Sequence, residues 1–154
     1  MSRRVRLVLL FVALVLVVLQ VLQPRPTNPP VAPGASFEEA ASPPPEVARI
    51  VRRACADCHS NRSTWPWYAH VSPASWLVVG DVNEARERLN LSEWGTFSAD
   101  RARENLSGMC QEARDGEMPP WQYLLLHRDA RLSEADVAAL CGFAQRAGRT
   151  PAAR

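Results

Sequence analysis

The sequence contains no lysine, because all eighteen of its basic residues are arginine. We attribute this bias to genome composition and infer no function from it. Since sixteen residues are acidic, the net charge is only +2, which argues against a nucleic-acid partner. The chain also lacks an internal repeat, a convincing strand pair, a nucleophile–base pair, a carboxylate dyad and a phosphate-binding loop. We therefore expect a helical protein that is not an enzyme in its own right.

Cysteine is scarce, with four in the chain, and two of the four stand close together in "RACADCHSNRSTWPWYAH". At helical spacing, Cys55, Cys58 and His59 project from one face of a single turn. The spacing C-x-x-C-H is typical of c-type haem attachment, in which two thioethers hold the macrocycle and the adjacent imidazole is the proximal iron ligand. The motif therefore predicts one covalently attached haem c with His59 on the iron.

Two other interpretations of this motif remain open. A redox dithiol of the thioredoxin kind would need a βαβ context, whereas the residues on both sides of the motif favour helix. A zinc site would need a second close pair of ligands, and the two remaining cysteines, Cys110 and Cys141, are far apart in the sequence.

The N-terminus has three arginines among its first six residues and then an apolar run from Leu7 to Leu22. A helix over this run spans about 24 Å, slightly less than the hydrocarbon core of a bilayer, and flanking arginines can make up the difference. No cleavage site follows closely, because Pro33 stands where a small residue is needed, and no cysteine marks a lipoprotein. We expect an uncleaved transmembrane anchor over 1–22 in a bacterial cytoplasmic membrane, with the remainder in the periplasm or outside.

Proline marks the boundary between this anchor and the rest of the chain. Eight of the thirteen prolines lie between Gln23 and Pro45, without apolar periodicity, which predicts an extended linker over 23–44 that acts as a tether. Residues 45–148 suffice for one small domain, whose core would gain from packing around a buried macrocycle. Residues 149–154 are expected to form a disordered tail.

Capping signals and apolar periodicity predict four helices in the domain. The first runs through "PPEVARIVRRACADCH" and delivers the haem motif, and the second opens at Ser72, just before a proline. The third is capped by Ser98 and stops at Gly116, and the fourth opens on a capping box of Ser133 and Asp136. The apolar stripe of the second helix is expected to comprise Val78, Val82, Ala85 and Leu89. The layout is that of a class I cytochrome c, a small all-α domain around one haem.

Cys110 and Cys141 fall on the apolar stripes of the third and fourth predicted helices. Packing of these stripes would bring the two thiols within reach of each other, and thiols in an oxidising compartment are more often paired than free. We therefore predict a disulfide, with two separate buried core residues as the alternative.

A haem of this kind needs a group on the far side of the iron, and four residues could supply it. Met118 lies in "DGEMPPW", a proline-stiffened loop in which no helical hydrogen bonding competes, so its thioether can be presented inward. Met109 lies on an apolar helix face, where methionine is usually core filler. His70 and His127 are the bis-histidine alternative, although polar surroundings are typical of surface histidines. We predict Met118 as the distal ligand.

Two longer stretches resemble a known family. "CADCHSNRSTWPWYAHVSPASWLVVGDVNEARERLNLSEW" and "DGEMPPWQYLLLHRDARLSEADVAALC" are similar to the haem-binding domain family of bacterial membrane-anchored or exported proteins, with the haem motif, "WPWY", "LNLSEW", "GEMPPW" and "ARLSE" in the same order. The resemblance covers roughly residues 45–145. It implies that Cys55 and Cys58 attach haem, with His59 as proximal ligand and Met118 as distal candidate.

The chain departs from that family at one place. Members often carry a histidine just ahead of the position that matches Val82, where this chain has Gly80 and Asp81. Any role of that histidine in the family is missing here.

Aromatic residues flank the proposed ligands. As a group they would line a haem crevice, with Trp65, Trp67 and Tyr68 as its candidates, although ordinary aromatic core is the alternative for each of them. Arg62 and Arg86 are candidate partners of the haem propionates.

The sequence thus predicts a membrane-anchored monohaem c-type cytochrome that carries single electrons between redox partner proteins of unknown identity. A haem-based sensor or gas-binding module is the alternative, and the distal side of the iron distinguishes the two. A third possibility is an electron-feeding subunit of a larger membrane enzyme.

Overall fold

The computed structural model describes residues 2–149, without the side chain of the last of these. The predicted all-α class is confirmed, since the described residues contain helices and turns but no strand. The predicted tail, 149–154, lies outside the described residues except for the backbone of residue 149. The α-helices are α1 (Arg3–Leu22), α2 (Phe37–Ala40), α3 (Pro45–Ala54), α4 (Ala56–His59), α5 (Ala74–Arg88), α6 (Ala99–Asp115), α7 (Trp121–Leu126) and α8 (Glu134–Arg149). Three short 3₁₀ turns lie at Trp67–His70, Leu91–Thr96 and Arg128–Ala130.

The first helix is the predicted apolar one, and it begins at Arg3 rather than Leu7. Its N-terminus is capped by the hydroxyl of Ser2, and none of its residues is buried against the rest of the chain. By length and composition α1 is able to cross a membrane.

Helices α6 and α8 pack against each other and form the frame of the domain. The cap residues act as predicted: Ser98 accepts a hydrogen bond from the third residue of α6, and Gly116 ends that helix in the left-handed region at φ 74°. At α8, Ser133 and Asp136 form the reciprocal capping box, with N···O distances of 2.9 and 3.1 Å. Local sequence signals therefore predicted both ends of α6 and the start of α8.

The two cysteines on these helices meet where α6 and α8 are packed. The sulfur atoms of Cys110 and Cys141 lie 1.95 Å apart, and their Cα atoms are 4.8 Å apart. The Cα separation lies within the range that a disulfide can bridge.

The core contains an aromatic residue from the segment that the sequence predicted to be a free tether. Phe37 is only 2% exposed and contacts the ring of Trp94 edge to face, with ring centroids 4.8 Å apart. A capping box of Ser36 and Glu39 starts the short helix α2 that carries it. The tether prediction is therefore wrong for the end of the 23–44 segment, because one large apolar side chain outweighs the proline-rich composition around it.

A close backbone contact holds the same segment in place. The amide of Gly95 donates to the carbonyl of Ala35 at 2.9 Å, and a Cβ at Gly95 would come within 2.7 Å of the carbonyl oxygen of Gly34. Only glycine fits at this crossing. The Leu91–Thr96 turn and the end of the linker therefore pack as one layer.

The helix that carries the haem motif is interrupted, which corrects the prediction of a continuous helix to residue 59. Cys55 has φ −125° and separates α3 from the single turn of α4, although its amide still donates to the carbonyl of Val51. The second predicted helix also differs in detail, since α5 starts at Ala74 and buries Ser75, Val79 and Val82. Its stripe is displaced because α5 packs on α4 and on the Trp67–His70 turn.

Replacing Phe37→Ala is expected to lower the free energy of unfolding of the full chain by about 3–5 kcal/mol, because the change opens a cavity in the core. Urea unfolding in detergent, followed by circular dichroism, measures the effect. Val31→Ala, in the same segment but outside the core, is the matched control and should have little effect. Equal values for the two variants would show that the segment is a free tether.

Candidate functional site

The two cysteines of C-x-x-C-H are half-buried free thiols at the two ends of the turn before His59. Burial, and next the neighbouring Cys58, raise the pKa of Cys55 to about 12. Burial, and next the charges of Asp57 and Asp81, raise the pKa of Cys58 to about 11. Both groups are therefore protonated thiols at neutral pH, which disfavours a reactive dithiol of the thioredoxin kind.

The imidazole of His59 is held at one ring nitrogen by the end of α5. Its Nδ1 lies 3.1 Å from the carbonyl oxygens of both Ala85 and Leu89. Because a carbonyl can only accept, Nδ1 must carry the proton and Nε2 keeps its lone pair. Burial lowers the pKa of His59, which favours this neutral form. An imidazole oriented through Nδ1, with Nε2 ready to ligate, is the usual state of a metal-binding histidine.

A polar network fixes the loop that follows the motif. The amide of Asn61 donates to the hydroxyl of Ser92 at 2.9 Å, and the side chain of Asn90 donates to that of Asn61 at 3.0 Å. Arg86 donates to the carbonyl of Ser60 at 2.8 Å and makes three further hydrogen bonds to the protein. This arginine, predicted as a propionate partner, thus already serves the protein's own backbone and side chains, while Arg62 is exposed.

An aromatic and acidic cluster lies on another side of the motif. Asp57, between the two cysteines, accepts from the hydroxyl of Tyr123 at 2.9 Å. The ring of Tyr123 stacks on His127 with centroids 4.1 Å apart, and Nε2 of His127 lies 3.1 Å from the hydroxyl of Tyr68. Burial, and next the hydrogen bond to Asp57, raise the pKa of Tyr123. The cluster ties α7 and the Trp67–His70 turn to α4.

Sequence reasoning missed Asp57, and it considered Tyr123 only as one of the aromatic residues of the crevice. The only available signal was the position of Asp57 inside C-x-x-C, which holds any carboxylate close to whatever the cysteines bind. Nothing local indicated Tyr123 as its partner, because the pair is 66 residues apart.

Met118 lies in the loop before α7 and is 40% exposed. It belongs to the chain segment that Tyr123 fastens to the motif, since α7 begins three residues after it. Met109 instead packs against the hydrophobic core, as expected for core filler. His127 is stacked and hydrogen-bonded, and His70 is exposed. Met118 and His127 both lie outside the core and are connected to the motif, and Met118 is kept as the predicted ligand because the ring of His127 is already stacked and hydrogen-bonded.

The predicted crevice residues have different surroundings. Tyr68 joins the cluster around Asp57, whereas Trp67 is 77% exposed. Trp65 donates from Nε1 to Asn28 at 3.1 Å and lies under the guanidinium of Arg86. The tryptophans are therefore dispersed, and their role as a crevice wall stays a prediction.

The donor set of the motif fits haem better than zinc. Within residues 2–149 no group of three or more His, Cys, Asp or Glu side chains is placed to hold a metal ion. Structural zinc sites need four protein ligands. His59, with two unpaired thiols beside it, is the donor set that the C-x-x-C-H spacing predicts for haem.

Comparison with known families gives one match. Residues 14–146 match the family model described as Haem-binding domain. The match begins inside α1 and ends in α8, so it covers most of the chain. The search of curated proteins and the search of solved structures gave no match.

Replacing Tyr123→Phe removes the hydrogen bond to Asp57 but keeps the ring that stacks on His127. Because the acceptor is a carboxylate, we expect a loss of about 1.5–3 kcal/mol in the free energy of unfolding and faster amide exchange in α7. The matched variant Tyr68→Phe removes a hydrogen bond to the ring of His127, which has no carboxylate partner among the described residues, and should cost about 1 kcal/mol. Denaturant unfolding and hydrogen exchange measure both effects. Equal losses in the two variants would contradict a charge-assisted hydrogen bond between Tyr123 and Asp57.

Proposed function

We propose that this chain, which belongs to the haem-binding domain family, is a membrane-anchored monohaem c-type cytochrome that carries single electrons on the outer face of a bacterial cytoplasmic membrane. The observation that carries the proposal is the state of His59. Two carbonyls hold its Nδ1, and two unpaired thiols flank the turn on which it stands.

The residues of α4 and its flank would hold the cofactor covalently. The thiols of Cys55 and Cys58 would each add to one vinyl group of the haem. The sulfur would bond to one vinyl carbon, and the thiol hydrogen would move to the other carbon. His59 would ligate the iron through Nε2. Bound there, haem supplies reversible one-electron oxidation and reduction of its iron. Electron transfer would depend on this site.

The compartment follows from three features that agree. Thioether attachment takes place outside the cytoplasm, the arginines in the first turns of α1 favour an inside N-terminus, and oxidation of Cys110 and Cys141 needs an oxidising compartment. Their separation supports a disulfide between α6 and α8. In the loop-entropy account, closing this loop would contribute about 3–4 kcal/mol.

Met118 is proposed as the distal ligand. Its thioether is the one flexible donor in a segment that Tyr123 fastens to Asp57, and no hydrogen bond engages it in the described structure. Methionine on the iron would raise the reduction potential relative to a second histidine, which suits an electron carrier.

The exposure of Met118 also favours a second candidate function. A 40% exposed side chain would close the distal position only weakly, and an iron held there would then be open to small gases. The alternative is therefore a haem-based sensor or gas-binding module. Service as an electron-feeding subunit of a larger membrane enzyme is compatible with either chemistry.

Intact mass measures covalent attachment and the disulfide together. Chain produced with the haem-attachment machinery should gain one haem, retain it after denaturation, and be two hydrogens lighter than the fully reduced form. Cys58→Ala should lose one thioether, and Met109→Ala, outside the motif, should retain both. Colourless protein containing zinc would contradict the proposal.

Replacing Met118→Ala should abolish the weak sulfur-to-iron absorption at the red end of the visible spectrum and lower the reduction potential, because the iron loses its thioether. Met109→Ala is the matched control and should change neither. If the wild-type protein lacks that absorption and binds carbon monoxide as fast as the variant does, the distal site is open and the sensor candidate is favoured. A change in His70→Ala or His127→Ala instead would assign the ligand to histidine.

A further inference from the structure

The last turn of α1 is hydrogen-bonded to the haem domain. The side chain of Gln20 donates to the carbonyl of His70 at 3.0 Å and accepts from the amide of Ser72 at 2.9 Å. The carbonyl of Leu19 accepts from the hydroxyl of Ser72 at 2.9 Å and from Nε1 of Trp76 at 3.2 Å. We call these contacts the exit clamp. They place the chain from His70 to Trp76 beside the end of the apolar helix.

The length of α1 fixes the depth of the exit clamp. The apolar run of α1, from Leu7 to Leu22, extends about 24 Å, so with the arginines of the first turns at the inner headgroups its outer end reaches close to the outer edge of the hydrocarbon. Leu19 lies within the last turn, so its carbonyl would stand about 4–5 Å inside the outer end of the helix. The clamped segment would then lie at the boundary between hydrocarbon and headgroups.

Residues 63–80, the stretch that contains the clamped segment, have the composition of an interfacial surface. No Asp, Glu, Lys or Arg occurs from residue 63 to residue 80, and the stretch contains three of the five tryptophans. Four large apolar side chains on it are exposed to solvent in the described structure, and we call them the interface patch: Trp67 77%, Val71 45%, Trp76 43% and Leu77 70%. Tryptophan is enriched where a membrane meets water, because its ring is apolar and its N–H is polar.

We propose that the interface patch is seated in the outer leaflet of the bilayer, so that the haem domain lies on the lipid surface instead of projecting from it on a linker. The partner of the interface patch is lipid, at the boundary between the headgroups and the acyl chains. The proposal rests on the membrane anchoring proposed above, and continuity with the exit clamp is what selects lipid over a protein partner.

Contacts further along the chain keep the domain from swinging away. Arg86 donates to the carbonyl of Thr27 at 2.9 Å and to the side chain of Asn28 at 3.0 Å, and Asn28 donates to the carbonyl of Ser63 at 2.9 Å. The first residues after α1 are thus bound to the domain. The patch and the helix would therefore enter the membrane as one rigid unit.

Photo-crosslinking of the full haem-loaded chain in phosphatidylglycerol–phosphatidylethanolamine vesicles tests whether the interface patch contacts lipid. Benzoylphenylalanine replaces one residue in each of three variants. Leu77 tests the patch, Leu125 is an equally apolar exposed control on α7, and Val12 is a reference inside α1. We expect lipid adducts by mass spectrometry at Leu77 and Val12, with a severalfold lower yield at Leu125. The visible haem spectrum of each variant verifies folding, and Trp67→benzoylphenylalanine is the substitute if the Leu77 variant fails to fold.

The other outcomes are distinct. Adducts at Val12 alone overturn the lipid seat and leave the anchor intact. Equal yields at Leu77 and Leu125 also overturn it, because the lipid contact would then not be confined to the patch. Absence of adducts at Val12 refutes the anchor and the seat together.

A second variant tests the exit clamp. Gln20→Leu keeps α1 apolar but removes the two hydrogen bonds that Gln20 makes to His70 and Ser72, so the lipid-adduct yield at Leu77 should fall severalfold while that at Val12 stays constant. Gln122→Leu, an equivalent change on α7, should leave both yields unchanged. An unaltered yield at Leu77 in the Gln20 variant would show that the hydrogen bonds of Gln20 do not orient the domain.

Discussion

The orientation of His59 in the haem motif depends on two backbone carbonyls at the end of α5, which accept a hydrogen bond from its Nδ1–H. A single turn such as α4 is not stable as an isolated helix, because the free energy that nucleation costs exceeds the free energy that one turn of hydrogen bonds gains. Its side chains therefore take their positions from neighbouring elements. The carbonyl of Leu89, at the C-cap, is one that the helix itself leaves unpaired. Donating to it satisfies that acceptor, fixes the tautomer of the imidazole and joins α4 to α5.

The rest of the site is arranged around this contact. On one side, the network of Asn61, Asn90 and Ser92 holds the loop that leaves the motif. On another, Asp57 is bound by Tyr123 of α7. Side chains held in this way lose little further freedom when a cofactor arrives, so more of the binding free energy remains as affinity.

The sequence predicted best what is encoded locally. The ends of α6 and the start of α8 follow from cap residues and the glycine after α6, which act within one turn. The thiols and imidazole of the motif were identifiable because their spacing is itself the chemical signal. The pairing of Cys110 with Cys141 was a reasonable prediction because both lie on apolar stripes that α6 and α8 turn toward each other.

What the sequence did not predict depends on contacts between distant segments. Phe37 lies in a proline-rich stretch, and only the three-dimensional position of Trp94 makes it core. The interruption at Cys55 reflects packing of the motif against α5, which periodicity within the motif cannot reveal. The partnership of Asp57 and Tyr123 likewise had no local signature.

The binding of the linker to the domain, through Arg86 and Asn28, has a consequence for how partners are met. A carrier on a loose tether samples a hemisphere above the bilayer and can deliver its charge at many heights. A carrier bound to its own anchor keeps one height and one azimuth relative to the helix axis. For the proposed electron carrier, encounters would then become a two-dimensional search, in which lateral diffusion of the helix would set the collision rate and the partner would have to present its own redox centre at the matching height.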